Sequence, residues 1–395
     1  MTFYLTDLGL VNALGGNRQD IWHHLLAGER GLTPCDWIPG ASTYTASVSA
    51  DLRPVPEPLR PYQSRNLQLA LTALGQITPT VKLALERYGP DRVAVVAGTS
   101  TSGIAEGETA LRSVAETGQK PTSYHYRQQE IGNLGQLIAQ FYDVHGPAYT
   151  LSTACSSSAH ALGSAARLLA SGAADAVIAG GADSLCRLTV NGFFALESVD
   201  TNPCVPFSRN RAGINIGEAA AFFLVTREPL KESIALLGVG ASSDAHHISA
   251  PEPEGRGAEA AIRAALASAQ IQPADIDYIN LHGTGTRLND AMESALTDRL
   301  FPAGTPCSSS KGQLGHTLGA AGATEAALCW LALSRYNQHQ QLPPHVWDGE
   351  QDPALPPLAL VNTGDVFTRS GRRICLSNSF AFGGNNAAVI VGDPK

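Results

Sequence analysis

The residues able to do covalent chemistry gather in short segments rich in small residues. Tyr149 to His160 reads Tyr-Thr-Leu-Ser-Thr-Ala-Cys-Ser-Ser-Ser-Ala-His, and Asn280 to Thr286 reads Asn-Leu-His-Gly-Thr-Gly-Thr. Ser308 to Gly322 reads Ser-Ser-Ser-Lys-Gly-Gln-Leu-Gly-His-Thr-Leu-Gly-Ala-Ala-Gly, and Asn378 to Asn386 reads Asn-Ser-Phe-Ala-Phe-Gly-Gly-Asn-Asn. An apolar run, Ala148 to Leu151, precedes Cys155, and Ala159, Leu162, Ala165, Ala166, Leu168 and Leu169 follow it at helical spacing. That pattern describes a buried strand, a sharp turn and a helix. At the start of a helix, unpaired N–H groups and the positive dipole end favour a thiolate, which is the working nucleophile. Taken alone, the stretch leans toward a small buried hydrophobe, the usual fate of a free cysteine. His282 and His316 reverse that. Each stands among glycines, where backbone can approach a ligand closely. One thiol with two such histidines is the composition of thiol-based acyl transfer.

Alternating strands and helices position these segments. Strands are expected over Tyr4 to Val11, Arg92 to Ala97, Ala148 to Leu151, Ala176 to Ala179, Ala219 to Thr226, Ile234 to Ala241, Tyr278 to Leu281 and Thr305 to Ser309. Ile374 to Ser377 and Ala387 to Val391 read as a closing hairpin. Helices are expected over Gln19 to Leu26, Leu67 to Tyr88, Glu106 to Thr117, Ile131 to Phe141, Glu259 to Ala269, Ala291 to Leu300 and Ala320 to Leu333. Cys35 to Pro61 reads as a surface excursion, and Phe193 to Val205 as loop or a short helix. The order calls for a layered α/β architecture with mixed or parallel sheets. The two halves rhyme, each with a strand running into a reactive turn and an alanine-rich helix. A duplicated five-layer arrangement fits, with halves 1–230, carrying the cysteine, and 231–395, carrying both histidines.

Composition narrows the class. The chain has 395 residues, 44% hydrophobic and 16% charged, which is ample for a sizeable core. Its seven cysteines form no CxxC motif and no paired Cys/His spacing, so neither a disulfide framework nor a metal site is expected. A reducing cytoplasm is the simplest compartment. The first residues show no signal peptide, and no run is long enough for a membrane helix. A net charge of −8 argues against a nucleic-acid partner.

Together these segments resemble the β-ketoacyl-acyl-carrier-protein synthases, the condensing enzymes of fatty-acid and polyketide synthesis with the thiolase fold. The resemblance spans nearly the whole chain. It includes Gly9 to Gly15, Ser102-Gly103-Ile104, the Cys155 turn, Gly180-Gly181-Ala182, Pro206 to Glu218, Ser243 to His247, both histidine motifs and the Phe382 loop. His316, where starter-unit synthases carry Asn, points to the elongating Cys-His-His branch. The resemblance implies a thiolase-like αβαβα fold and a decarboxylative Claisen condensation of an acyl thioester with malonyl-acyl-carrier protein. Cys155 would take the acyl group, and the N–H groups of Cys155 and Phe382 would form the oxyanion hole. His282 and His316 would stabilise the enolate. Lys311 and Glu293 would pair to order the histidines, and Phe382 would gate the pocket. Thr284 and Thr286 would bind the phosphopantetheine arm, while Ile104 and Phe193 would line the acyl pocket and limit chain length. No metal or nucleotide cofactor is implied, because the substrates ride on the phosphopantetheine of the carrier protein.

The expected partners are that acidic carrier and a second subunit, identical or related, joined through the strand before Cys155. Arg60, Arg65, Arg127, Arg209 or Arg211 would dock the carrier. His23-His24 reads as a solvated helix face, and His247 as a position near the site. Cys35, Cys186, Cys204, Cys307, Cys329 and Cys375 read as inert. Three features depart from the family pattern: Ala381 where glycine usually precedes the phenylalanine, Asn385 in place of threonine, and a shorter stretch between Ile104 and Cys155. One rival reading is a non-catalytic chain-length-determining subunit, which the presence of Cys155, His282, His316 and Lys311 opposes. A thiol hydrolase or thiolase-type acyltransferase is opposed by His316. The chain as the catalytic half of a heterodimer remains open.

Overall fold

Val93–Gly98, Val-Ala-Val-Val-Ala-Gly, has no polar side chain for a wet face, and all six residues are buried. Such a run belongs in the middle of a sheet covered on both sides. The computed structural model describes residues 2–229, 233–302 and 304–394. In chain order the strands of the first half are β1 (Phe3–Asn12), β2 (Leu32–Cys35), β3 (Thr43–Ala46), β4 (Val93–Gly98), β5 (Ala148–Leu151), β6 (Ala176–Asp183), β7 (Ile216–Gly217) and β8 (Ala219–Thr226). Those of the second are β9 (Ile234–Ser243), β10 (Tyr278–Asn280), β11 (Pro306–Ser308), β12 (Ala359–Leu360), β13 (Ile374–Phe380) and β14 (Asn385–Gly392). The helices are α1 (Arg18–Leu26), α2 (Arg65–Tyr88), α3 (Ile104–Thr117), α4 (Asn133–Tyr142), α5 (Ser157–Ser171) and α6 (Arg187–Ala195), then α7 (Arg256–Ala269), α8 (Arg287–Leu300), the single turn α9 (Lys311–Leu314) and α10 (Ala321–Leu333).

Eleven strands hydrogen-bond in the order β12-β11-β10-β13-β14-β9-β1-β8-β6-β4-β5. The order repeats outward from its centre. β1 is followed by the antiparallel β8 and then the parallel β6, β4 and β5; β9 is followed by the antiparallel β14 and then the parallel β13, β10 and β11. Phe3–Leu5 pairs with Ile234–Leu236 to join the two series. The proposed boundary between residues 230 and 231 lies outside the described residues.

Helices α5 and α10 lie between the half-sheets and touch strands of both. Every residue of α10 is buried, as expected for a helix apolar nearly all round. Ala159, Leu162, Ala165 and Leu169 of α5 share the central core with Ala323, Ala327, Leu328 and Leu331 of α10. Outside, α2 and α4 cover the first half-sheet, and α7 and α8 cover the second. This is the five-layer α/β thiolase-like architecture.

Cys35–Pro61 is more ordered than its composition suggests. It carries β3, which pairs with β2 and with Ile216–Gly217 of β7, because the Glu218 carboxylate draws in the Val48 N–H at 2.8 Å. β6 runs through Gly180-Gly181 to Asp183; a Cβ at Gly180 would stand 2.0 Å from the Ala221 carbonyl oxygen, so glycine here serves strand packing and not a turn. Phe193 sits on α6. Among the described residues no helix is long and apolar enough to cross a membrane.

Candidate active site

β5 delivers the chain to a tight turn in which Ala154 has φ 50, a conformation that costs an L-residue energy. Two hydrogen bonds hold the turn: Ser157 Oγ accepts from the Thr153 N–H at 2.9 Å and donates to the Ala154 carbonyl at 2.6 Å. Cys155 is therefore fixed immediately ahead of α5, 5% exposed. His316 precedes α10 across one 3₁₀ turn, Leu318–Ala320. The two helix starts meet because position 322 is glycine: a Cβ there would lie 2.6 Å from the Ala159 Cβ. Ser158 Oγ also accepts from the Ala323 N–H at 2.8 Å. His316 Nε2 consequently stands 2.9 Å from Cys155 Sγ. His282, just beyond β10, packs edge-on against His316 with ring centroids 5.5 Å apart.

The backbone N–H groups of Phe382 and Cys155 both act on the sulfur and lower its pKa, as does the Lys311 cation. Burial outweighs them and pushes the thiol up to about 11. The helix-start thiolate expected from sequence is thus a neutral thiol at rest. Burial, with Lys311 adding to it, holds both histidines well below the ordinary imidazole pKa, so both are neutral.

Lys311, 1% exposed on α9, does not pair with Glu293. Its Nζ bonds Glu325 of α10 and the His282 carbonyl, and lies 3.5 Å from His282 Nδ1. Glu293 lies elsewhere, accepting the His282 N–H at 2.8 Å and the Gly283 N–H at 2.7 Å, with burial raising its carboxyl to about 7. It shapes the backbone of the His282 turn and does not line the cavity. Glu325 is the residue sequence reasoning missed. Its signal was available: it is the only charged side chain in α10. An ammonium donates and cannot accept, so Lys311 beside Nδ1 leaves the His282 proton on Nε2. His316 Nδ1 is buried with no hydrogen-bond partner among the described residues, so its tautomer is not pinned.

A cavity of about 450 Å³ opens onto these groups, lined by Cys155, His282, His316, Thr284, Thr286 and Phe382 among others. The hydroxyls of Thr284 and Thr286 bond each other at 2.9 Å. Phe382 lies in a turn whose Gly383 has φ 80, and its ring meets Phe193 at 5.3 Å, so Phe193 does line the cavity. Ile104 does not. It starts α3 and lines a shallow apolar groove with Leu111, Ile131 and Leu188. Ala381 is extended, φ −97 and ψ 154, so its methyl is accommodated without strain. His247 is exposed and accepts the Ser249 and Ala250 N–H groups, holding the turn at the cavity mouth. Two docking candidates are committed elsewhere: Arg65 is bonded to the buried Glu218, and Arg211 is buried against Asp352.

Fold and site define a thiol-dependent acyltransferase of thiolase architecture. Family models described as "Beta-ketoacyl synthase, N-terminal domain" and "Beta-ketoacyl synthase, C-terminal domain" match residues 59–230 and 234–346. The 3-oxoacyl-[acyl-carrier-protein] synthase 2 of Rhizobium meliloti is 34% identical over 427 residues, covering 98% of this chain and 97% of its own. That of Coxiella burnetii is 29% identical over 420 residues, with 98% and 97% covered. Among solved structures, a ketosynthase in complex with its chain length factor from Xenorhabdus doucetiae is similar with TM-score 0.94 and 47% identity, over 100% of this chain and 98% of that one. The ishigamide ketosynthase/chain length factor is similar with TM-score 0.87 and 28% identity, over 100% and 99%. The chain belongs to the β-ketoacyl synthase family, in its elongating branch, and is an acyl-transferring condensing enzyme of fatty-acid or polyketide synthesis.

Proposed function

We propose that this chain is the catalytic half of a heterodimeric polyketide-type synthase, working on substrates held by the phosphopantetheine of an acyl carrier protein, in the cytoplasm and without metal or nucleotide. The observation that carries the reading is the convergence on Cys155 Sγ of His316 Nε2 at 2.9 Å and the N–H groups of Phe382 and Cys155. The thiol proton passes to His316 Nε2 as sulfur attacks the acyl thioester, and from there to the departing pantetheine sulfur. The thioester oxygen, negative at that moment, takes the two N–H donors. Malonyl thioester then enters beside Thr284 and Thr286. Loss of carbon dioxide leaves its electron pair on an enolate whose oxygen accepts from Nε2–H of His282 and from His316 once its unpinned ring has moved its proton from Nδ1 to Nε2. The enolate carbon attacks the acyl–Cys155 carbonyl, and the sulfur leaves as thiolate as the new carbon–carbon bond forms, then takes a proton from water to restore the resting thiol. The heterodimer is favoured because two similar solved structures are ketosynthase–chain length factor complexes.

The test is intact mass after incubation with a panel of acyl-carrier-protein thioesters, with and without a co-expressed synthase-like subunit. An acyl mass on Cys155 supports the reading, and Cys155→Ala should abolish both adduct and condensation. Condensation surviving in Cys155→Ala overturns it. Cys155→Gln should keep malonyl decarboxylation while losing acyl transfer.

A further inference from the structure

His345 lies outside the cavity, 5% exposed, between Phe207 and Trp347 with ring centroids at 6.0 and 5.6 Å. Both ring nitrogens are occupied. Nε2 faces the Pro206 carbonyl at 3.0 Å, which only accepts, so it carries the proton. Nδ1 accepts the Ser309 N–H at 3.1 Å. The next links lead to the catalytic groups: Ser309 Oγ donates to the Gly283 carbonyl at 2.6 Å and accepts the Lys311 N–H at 3.2 Å. Lys311 in turn holds the His282 carbonyl and faces its Nδ1. Burial pushes His345 down to about 4, so the ring stays neutral and keeps its acceptor at working pH.

We infer that His345 is a positioning residue for the decarboxylating half of the reaction, acting through Ser309 on Lys311 and the His282–Gly283 turn. The inference rests on the condensing reaction proposed above. The chain of bonds ends at His282 and does not include Cys155 or its two N–H donors; the one linked group that acts on the sulfur is the Lys311 cation, whose charge these variants leave in place. The two half-reactions should therefore separate.

The experiment measures acylation of Cys155 by mass and malonyl-carrier-protein decarboxylation by carbon dioxide release, in the parent and in His345→Leu, His345→Asn and Ser309→Ala. His345→Leu should lower the decarboxylation kcat by about tenfold to a hundredfold, the scale of a small misplacement of reacting groups. KM and the acylation rate should change by less than about twofold. His345→Asn, which keeps an acceptor near the Nδ1 position, should restore most of the loss. Ser309→Ala should reproduce the separation with His345 in place, and it decides the matter if the leucine variant does not fold. Equal losses in both half-reactions, or a leucine variant that decarboxylates like the parent, overturn the inference. A parent inactive in both half-reactions overturns the proposed function instead.

Discussion

The Cys155 thiol sits between opposing influences, and burial is the largest of them. With its pKa raised to about 11 and His316 lowered, the resting pair at pH 7 is thiol and imidazole, not thiolate and imidazolium. The thiolate fraction then rises about tenfold per pH unit below that value. Alkylation of Cys155 by iodoacetamide, followed by intact mass, should climb continuously from pH 7 to pH 10. A plateau beginning near pH 6 would show a preformed ion pair and contradict this account. Lys311 and Glu325 pose a different question, because both are buried and each neutralises the other. Removing one partner leaves a bare buried charge, at a cost of about 3–5 kcal/mol, whereas replacing both with apolar groups of similar size is often near neutral. Glu325→Ala should therefore lower the denaturation midpoint sharply, and Lys311→Met with Glu325→Leu should recover it. The double variant should still fail to decarboxylate malonyl thioester, since nothing then faces His282 Nδ1. Decarboxylation at the parent rate in the stable double variant would remove Lys311 from the mechanism.

At the scale of elements, catalysis depends on how closely two helices begin. α5 and α10 touch at Ala159 and Gly322, and this contact sets the separation of Cys155 from His316. Gly322→Val would force the starts apart, costing about 1–3 kcal/mol as overpacking. Cys155 acylation should fall far more than the melting temperature; a variant that acylates normally would show that another contact sets the distance. The helices themselves were legible in sequence, because the alanine-rich periods at Ala159 to Leu169 and Ala320 to Leu333 survive any tertiary arrangement. So were the strand ends that present Cys155, His282 and His316. What sequence could not decide was pairing. Glu293 and Glu325 are both acidic residues on helices near Lys311 in the chain, and only packing shows which carboxylate reaches its ammonium. Ile104 shows the same limit: its neighbours read as pocket, but it lines a separate groove with Leu111, Ile131 and Leu188 and not the cavity at Cys155. The β2–β3 pair was missed because Pro and Ser there signal loop, while strand formation is driven by β7 and Glu218, far along the chain.

At the scale of the whole molecule, the β5 end of the sheet is open. β5 is the last strand of the eleven, and all its residues are partly exposed. The Val95 N–H reaches the Pro147 carbonyl and the Thr99 N–H reaches the Leu151 carbonyl, so the odd-numbered residues bond β4. The main-chain groups of Ala148 and Thr150 therefore point outward. Unpaired edges of this kind invite another strand. Leu111 and Leu188 on α3 and α6 are 73% and 59% exposed and line one apolar groove. Both features suit a related subunit seated against β5. Proline is tolerated on an edge strand but cannot donate outward. Ala148→Pro should therefore leave the chain folded while preventing co-purification with a synthase-like partner. Native mass spectrometry distinguishes the outcomes. A monomer of unchanged melting temperature supports pairing through β5; an intact heterodimer places the interface on another face and leaves the exposed leucines to be explained by a different partner.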